Sequence, residues 1–440
     1  LNGGSNTVNP SETATSSSPD SSQTFVFDNS LVIPKGTLKT LALKCNLAST
    51  ADTSSTFQWG ISAAPTATGV TSGTSIGTVT GANGSLMTVA ASGSLTATAS
   101  ATATSQPALS LVPAGTTGVT MGNVKFHATN EDITVQKIGL TLANGTYGTL
   151  STGNGGSSSS GVNDVVQASI YNGATLIGTA TFTGATATSS LDVPVTVLAN
   201  QDLVLTIKAD ITNIATNLPA GIGDTVKVDP LNAQGVGASG SQVNISATAG
   251  VNGVQIFKSV PTVALASGAC NGTGCNGVNQ VLKAFTVKAD AAGSISVEQL
   301  SFSVSTSSAS VTNLSVQVLD NNGNVATSTF GTQAGSLAAT TATFTGGPVI
   351  VPANTAYTFR LIGTVTPGGS ATNWSVNTTL SGDTAAITGI GAAPGYIATT
   401  TAVANASNFV WSDNATTTAG GNDVDWTNGY RVSGLPSIGI

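Results

Sequence analysis

The sequence predicts an all-β protein with almost no helix, and three observations support this fold class. First, the composition favours strands and turns, because Thr and Val prefer the pleated conformation while Gly, at 52 of 440 residues, interrupts helices. Second, apolar and polar residues alternate wherever the chain becomes apolar, as in a half-buried strand. Third, several segments recur along the chain, which indicates one strand-rich module used repeatedly.

The clearest alternation lies in two segments that share an irregularity. Residues 133–142 read ITVQKIGLTL and residues 295–304 read ISVEQLSFSV. In both, the apolar phase shifts by one residue after the third position. The shift predicts a β-bulge or kink within one half-buried strand, and its recurrence indicates that the two segments are copies.

A second motif occurs three times and ends in a strand of strict period two. Its copies begin at Ile33 (IPKGTLKTLALKCNLA), Val197 (VLANQDLVLTIKADIT) and Val351 (VPANTAYTFRLIGTVT). The predicted inward positions, copy by copy, are Leu41, Leu43, Cys45 and Leu47; Leu205, Ile207, Ala209 and Ile211; Phe359, Leu361, Gly363 and Val365.

The second and third copies belong to longer repeat units, 107–260 and 261–403. Each unit opens with a Pro-led strand, at Pro107 or Pro261, and contains a hairpin with turn residues between its strands. A Gly-Asp-Thr turn also occurs in each, at 223–225 and 382–384. Seven or more short strands in about 150 residues predict an immunoglobulin-like β-sandwich for each unit.

The first copy is incomplete. Residues 24–106 match only the C-terminal half of a unit, with Trp59 as the predicted counterpart of Trp374. Residues 1–23 form a Ser/Thr/Asn-rich tether without a strand pattern, and 404–440 form a separate C-terminal segment. Half a sandwich leaves its inner face uncovered, so either sequence absent from this chain or strands of a neighbouring subunit complete it.

The charge content excludes several classes of function. Charged residues make up 7 %, against about 25 % in an average soluble domain, and the net charge is −7. Such a chain cannot neutralise phosphates, so it is not a nucleic-acid binder. No run approaches the ~18 apolar residues of a spanning helix, so the chain is not predicted to cross a membrane by one.

The sequence also argues against an enzyme. His127 is the only histidine, and it lies at an outward position of a predicted strand. No nucleophile elbow, zinc-protease motif or phosphate-binding loop accompanies it. We therefore expect no catalytic residues.

Two sets of residues are candidate structural or metal sites. Cys270 and Cys275 bracket the loop CNGTGC and are expected to form a disulfide, with free thiols or a metal pair as alternatives. Asp413, Asp423 and Asp425 are a candidate calcium site, with a solvated loop as the alternative. The stretch DNNGN at 320–324 is interpreted as a hairpin turn.

Sequons for N-glycosylation are frequent and would matter if the source organism glycosylates. They lie at Asn83, Asn144, Asn244, Asn271, Asn313, Asn373, Asn377, Asn405 and Asn414.

The C-terminal stretch carries a resemblance. The residues Trp411-Ser412-Asp413, Trp426, Asn428-Gly429-Tyr430 and Gly434-Leu435-Pro436 resemble a segment at the end of large surface proteins of candidate-phylum (patescibacterial) bacteria. The tandem repeats are likewise similar to those of secreted bacterial proteins with immunoglobulin-like domains. The resemblance implies a cell-surface location and assembly into a surface layer or an appendage.

Two functions follow as hypotheses. The first is an extracellular structural protein that self-assembles into a surface layer or filament, with other copies of itself as partners and strand complementation as one means. The alternative is an adhesin or glycan-binding stalk in contact with cell-wall or surface glycans. A stalk needs an exposed aromatic site, for which Trp411, Trp426 and Tyr430 are the candidates. We expect these rings to cover the last sandwich instead.

Overall fold

The structure is a computed structural model. It describes residues 2–3, 6–7, 31–42, 51–61, 67–76, 81–99, 105–144, 164–214, 223, 225–270, 272–327, 330–336, 340–369, 373–385, 407–415 and 426–435. The chain divides into two compact units, Leu1–Ser92 and Gly93–Ile440. The described regular structure is β-strand apart from a short 3-10 helix at Gly272–Cys275, so the predicted all-β fold with almost no helix is confirmed. Among the described residues, no helix is long and apolar enough to cross a membrane.

Five short strands belong to the N-terminal unit. They are β1 Asn2–Gly3, β2 Asn6–Thr7, β3 Leu41–Ala42, β4 Thr56–Gly60 and β5 Asn83–Thr88. β1 pairs with β2 and β3, and β4 pairs with β5, all antiparallel. Two of these strands lie in the predicted tether 1–23, where the sequence shows no strand pattern. Each is two residues long and is defined by its pairing with another strand. A segment this short shows no periodic pattern in the sequence.

The second unit contains two β-sandwiches in succession. The strands of the first are β6 Ser94–Thr98, β7 Ser110–Pro113, β8 Val119–Thr129, β9 Ile133–Asn144, β10 Val165–Asn172, β11 Thr175–Thr181, β12 Thr186–Val197, β13 Asp202–Ile211, β14 Thr225–Gly237, β15 Gln242–Thr248 and β16 Val254–Phe257. One layer has the order β11-β10-β13-β8-β6. In the other layer β9 pairs with β12 and β14, and β14 continues through β16 to β7. The parallel pair β6–β15 joins the two layers along one side.

The second sandwich repeats this arrangement. Its strands are β17 Pro261–Leu265, β18 Gly277–Ala289, β19 Ile295–Ser307, β20 Ala309–Leu319, β21 Val325–Thr327, β22 Thr332–Ser336, β23 Thr341–Val351, β24 Ala356–Pro367, β25 Ser375–Leu380, β26 Phe409–Ser412 and β27 Trp426–Asn428. One layer has the order β17-β18-β24-β20-β21, with β22 also on β20. The other has the order β23-β19-β26-β27, with β25 also on β19.

Each sandwich has its own apolar core, built around the repeated motif strand. β13 and β24 are these strands, and Leu205, Ile207, Phe359 and Leu361 are all 0 % exposed, as predicted. A Cβ atom at Gly363 would lie 2.8 Å from a methyl group of Leu314, so core side chains pack closely against the backbone at this inward position. The inward positions predicted at 43, 45 and 47 lie outside the described residues.

The predicted irregularity in the repeated strand is a β-bulge in both sandwiches. In β9 the pairing register with both neighbours skips Gln136, and in β19 it skips Glu298. These are the positions at which the apolar phase shifts in the sequence. The prediction is confirmed, and the bulge keeps apolar residues on both sides of it facing the core.

The first sandwich begins earlier than the predicted boundary at 107. β6 pairs with β8 just as β17 pairs with β18, so Ser94–Thr98 is the structural counterpart of Pro261–Leu265. The Pro-led segment at Pro107 instead leads into β7, which pairs in parallel with β16. The segment 24–106 therefore contributes its last strand to the sandwich, because Leu95 and Ala97 bury their side chains in its core.

The second sandwich ends later than the predicted boundary at 403. β26 lies on β19 and β27 lies on β26, so the predicted separate segment 404–440 supplies two strands. The two Gly-Asp-Thr turns are also not equivalent, since Gly223 precedes β14 and Thr225 begins it, whereas 382–384 follows β25. Both differences arise from pairing between strands that are distant in sequence.

Candidate functional site

The predicted cysteine pair forms a disulfide bond within the loop between β17 and β18. The Sγ atoms of Cys270 and Cys275 are 2.14 Å apart and the Cα atoms 5.1 Å apart. Cys275 is 2 % exposed and belongs to the second core. The bridge thus fixes a loop at the end of the sandwich to its interior.

Asp413, the described member of the candidate calcium site, has a structural position. It is 0 % exposed, and its carboxylate accepts hydrogen bonds from the backbone N–H of Lys258 at 2.6 Å and of Ala415 at 3.1 Å. Asp423 and Asp425 lie outside the described residues. Within the part of the chain that is described, no group of three His, Cys, Asp or Glu side chains could hold a metal ion.

The predicted sequons differ in accessibility. Five have exposed asparagines, at Asn83, Asn244, Asn313, Asn373 and Asn377. Asn414 is 6 % exposed, its amide donates to Ser294 Oγ at 3.1 Å, and it accepts from Ser296 Oγ at 2.8 Å, so the folded chain has no space for a glycan there. The side chain of Asn144, and all of Asn271 and Asn405, lie outside the described residues.

His127 lies on the outer face of β8, as predicted. Its Nδ1 is 2.7 Å from Asp202 Oδ1, and Lys125 Nζ is 3.1 Å from the other oxygen of the same carboxylate. These two hydrogen bonds, with that of His127 the larger cause, lower the pKa of Asp202. The arrangement is a solvent-exposed ionic cluster.

A shallow groove lies on the outer face of the first sandwich. Its volume is about 450 Å³, and amide and hydroxyl side chains of β12, β14 and β15 line it together with Lys137 of β9. Gln234 donates to Asn244 across the groove at 2.9 Å. Aromatic side chains are not among its lining residues.

The residues of the C-terminal resemblance form one hairpin that closes the second sandwich. We call residues 407–415 and 426–435 the closing hairpin. Trp411 is 0 % exposed, its ring lies 5.0 Å from that of Phe257, and its Nε1 donates to the backbone oxygen of Asn428 at 2.8 Å. Trp426 is equally buried. Both tryptophans are therefore buried, Trp411 within the core of the second sandwich, so they do not form an exposed aromatic site, as expected.

Asp383 ties the closing hairpin to the end of β25. Its carboxylate accepts hydrogen bonds from the backbone N–H of Asn408 at 2.7 Å, Gly429 at 2.8 Å and Phe409 at 3.2 Å. Burial raises the pKa of Asp383, and the three N–H groups oppose this rise. The Gly-Asp-Thr pattern predicts only that Asp383 lies in a turn, because a turn pattern does not reveal which segment packs over it.

The last turn of the hairpin lies against β17. Val263 N–H donates to the backbone oxygen of Ser433 at 2.8 Å. Gly434 has φ +84°, and a Cβ atom there would lie 1.7 Å from the backbone oxygen of Val263. Only glycine fits this close approach.

The hairpin also contacts the junction between the two sandwiches. Lys258, which follows β16, donates through Nζ to the backbone oxygen of Asn414 at 2.9 Å. Ala415 packs against the core of the first sandwich. Closing the second sandwich therefore also fixes it to the first.

Glu298 at the bulge is a buried acid that the sequence did not single out. It is 7 % exposed, and its Oε2 has no hydrogen-bond partner within the described part of the chain. Burial raises its pKa to about 7. The corresponding bulge residue of the first sandwich, Gln136, is exposed.

Within the described residues of the N-terminal unit, the strands β4 and β5 have no comparable cover. Phe57 and Met87 are cross-strand partners in the β4–β5 hairpin and are 40 % and 47 % exposed. Ile61 and Leu86 are 55 % and 62 % exposed. The described part of this unit thus presents apolar side chains to solvent.

Fold and contacts together define two β-sandwiches in succession, preceded by an N-terminal unit whose described strands expose apolar side chains. No protein-family model matches it, and no curated protein matches it in sequence.

Among solved structures, fibronectin(III)-like modules of Clostridium thermocellum CbhA are 16 % identical, and the match covers 60 % of this chain and 92 % of that chain at a TM-score of 0.12. The collagen adhesin of S. aureus is 10 % identical over 65 % of this chain and 85 % of its own, at a TM-score of 0.14. The T6 backbone pilin of Streptococcus pyogenes is 9 % identical over 67 % of this chain and 53 % of its own, at a TM-score of 0.13.

Proposed function

We propose that this chain is an extracellular, non-enzymatic structural protein that self-assembles through its β-sandwich domains into a surface layer or cell-surface filament. In the assembly, a second copy completes the N-terminal unit by adding strands to it. The observation that carries this proposal is the uncovered apolar face of the β4–β5 hairpin. The resemblance of the C-terminal segment to bacterial surface proteins supports the extracellular location.

Phe57 and Met87 are exposed on one face of this hairpin, and Leu86, the partner of Gln58, is exposed on the other. Phe57 and Met87 are directly opposite in register, and Trp59 and Ile61 follow Phe57 at intervals of two. Residues at intervals of two lie on the same side of a strand. A two-stranded hairpin is marginally stable in water by itself, so an apolar face of this kind is typical of a sheet that packs on another layer.

Matching residues in the complete sandwiches are covered. Trp374, the predicted counterpart of Trp59, is partly buried and packs against the second core, as does Val376 two residues further on. The motif strand shows the same contrast, because Leu41 is 36 % exposed whereas its predicted counterpart Leu205 is fully buried. The N-terminal unit therefore has apolar residues of the kind that build a sandwich core, but its described residues do not form a buried core.

Few charges oppose association between copies. The chain has 12 Lys and Arg and 19 Asp and Glu in 440 residues. The edge strands β11 and β23 contain no charged residue. Charged side chains on edge strands commonly prevent edge-to-edge pairing, and these two edge strands have none.

The experiment compares the full chain with a variant of the exposed face. Wild type is expected to form ordered sheets or fibres in negative-stain electron micrographs and large species in light scattering after gel filtration. Phe57→Ser with Met87→Ser is expected to shift the population at least tenfold towards monomer. Val204→Ser, which removes a residue 44 % exposed on β13, is the matched control and should assemble like wild type. A wild-type chain that stays monomeric at all concentrations overturns the proposal.

A further inference from the structure

We propose that the closing hairpin is exchanged between copies, so that the hairpin of one chain closes the second sandwich of its neighbour. This inference rests on the proposed self-assembly and names a contact that would link the chains. It is carried by three features of the second sandwich: a divided strand, a connection whose ends meet, and a core that the hairpin completes.

The divided strand is the main difference between the two sandwiches. In the first, β14 is one strand of 13 residues that covers an edge of β9 from Asn144 to Ile133. In the second, β25 covers residues 302–307 of β19 and β26 covers 296–300 of the same edge. One uninterrupted strand is thus replaced by two separate segments in matching positions.

The connection between these segments returns to its starting point. Asn408 Nδ2 donates to the backbone oxygen of Gly382, and Asn428 Nδ2 donates to that of Ala385, both at 2.8 Å. Residues 386–406 connect Ala385 to Ser407 in sequence. A chain of that length can span about 70 Å when extended, at roughly 3.3 Å per residue, which is enough to reach a neighbouring sandwich.

The hairpin completes the core through contacts that do not depend on which chain supplies it. Phe409 and Trp411 are 0 % exposed, and Val432 and Leu435 are 3 % and 7 % exposed. If the hairpin left, it would expose these side chains together with the edge of β19. Exchange of an identical element preserves every such contact, which is why it is a low-cost route to assembly.

Exchange would also join chains rigidly. The hairpin accepts the backbone N–H of Lys258 through Asp413 and binds Ser294 and Ser296 through Asn414. These residues lie at the junction of the two sandwiches. An exchanged hairpin would therefore be anchored at the middle of the neighbouring chain.

The test uses two residues that lie opposite each other, one in the closing hairpin and one in β17. Thr262 of β17 and Ser433 of the hairpin are bridge partners, and both are exposed, so substitution should not impair folding. Thr262→Cys and Ser433→Cys are made in separate full-length chains with Cys45→Ser. The two chains are co-refolded at assembling concentration and oxidised. Thr98→Cys and Thr248→Cys are the matched control, because Thr98 and Thr248 form the equivalent bridge of the first sandwich.

We expect a disulfide-linked dimer on a non-reducing gel from the Thr262→Cys and Ser433→Cys mixture, at least tenfold more abundant than from the control mixture. A single chain with both substitutions shows that the pair can form a disulfide. Ordered assemblies without the interchain disulfide overturn the exchange and leave the proposed self-assembly standing. Monomers throughout overturn both.

Discussion

The two sandwiches share a strand order but reach a closed core by different means. The first is closed by backbone pairing: β14 is continuous, and the parallel pairs β6–β15 and β7–β16 extend its layers. Its core consists mainly of Val, Ile, Leu and Ala. The second has a divided strand and an aromatic core, in which the rings of Phe285 and Phe359 stack at 5.5 Å and Trp411 meets Phe257.

Sequence separation does not distinguish the two closures. In the first sandwich Asn252 bonds to the backbone oxygen of Pro107, 145 residues away, and in the second Ser296 bonds to Asn414, 118 residues away. The difference lies in the side chains, because the second closure buries large aromatic residues of the hairpin, such as Trp411, whereas the first is made by strand pairing. We expect substitutions in the hairpin to affect the second sandwich selectively.

The largest expected effect is that of Trp411→Ala. The substitution removes a fully buried indole and its hydrogen bond to Asn428, and we expect a loss of about 4 kcal/mol in the free energy of unfolding. Phe126→Ala, at a 0 % exposed position of the first core, is the matched control. Hydrogen exchange measured by mass spectrometry should show loss of protection in the second sandwich for the former and in the first for the latter. Equal loss in both sandwiches for either variant would contradict separate cores.

A somewhat smaller change in the free energy of unfolding is expected when the pH is raised, because Glu298 loses its proton. Because its pKa is about 7 in the folded chain against 4.5 for an ordinary Glu, the folded state holds the proton more tightly. Its contribution is therefore fully present below about pH 4.5 and is lost as the pH rises to about 7, by about 3 kcal/mol. Chemical denaturation at several pH values should show this fall in wild type and not in Glu298→Gln.

The matched control for Glu298 is Gln136→Glu, which introduces a carboxyl group at the corresponding bulge of the first sandwich. Gln136 is exposed, so the new carboxyl group should keep an ordinary pKa and add no fall in stability between pH 4.5 and 7. The same fall in this variant would show that the bulge, and not burial, raises the pKa of Glu298.

The smallest of the three effects is expected for Asp383→Ala. It leaves three backbone N–H groups of the closing hairpin without their acceptor, which should reduce the free energy of unfolding by about 2 kcal/mol. Asp229 has a similar role in the first sandwich, where its carboxylate accepts from the N–H groups of Gly250 and Val251. Asp229→Ala should therefore loosen residues 250–257 and leave the hairpin protected, as hydrogen exchange can resolve. Loss of hairpin protection in Asp229→Ala would show that the two closures are coupled.

The parts of the fold that the sequence predicted are those with a long periodic signal. The bulges at Gln136 and Glu298 and the inward residues of β13 and β24 follow from alternation over ten or more residues. The short strands β6 and β26 were not recognised, because four or five residues carry no distinguishable period. The surroundings of Asp383 and Glu298 include the short strand β26. The role of Asp383 and the burial of Glu298 could therefore not be predicted from the sequence.

The sequence by itself determined that this protein is all-β, that its module is repeated, and which face of each long strand is buried, because side-chain alternation is a local property of the chain. Only the tertiary structure decided where the sandwiches begin and end, which edge the C-terminal hairpin covers, and that Asp383 and Glu298 are buried. These features depend on pairing between distant segments, and the free energy of such pairing resides in contacts that no local pattern records.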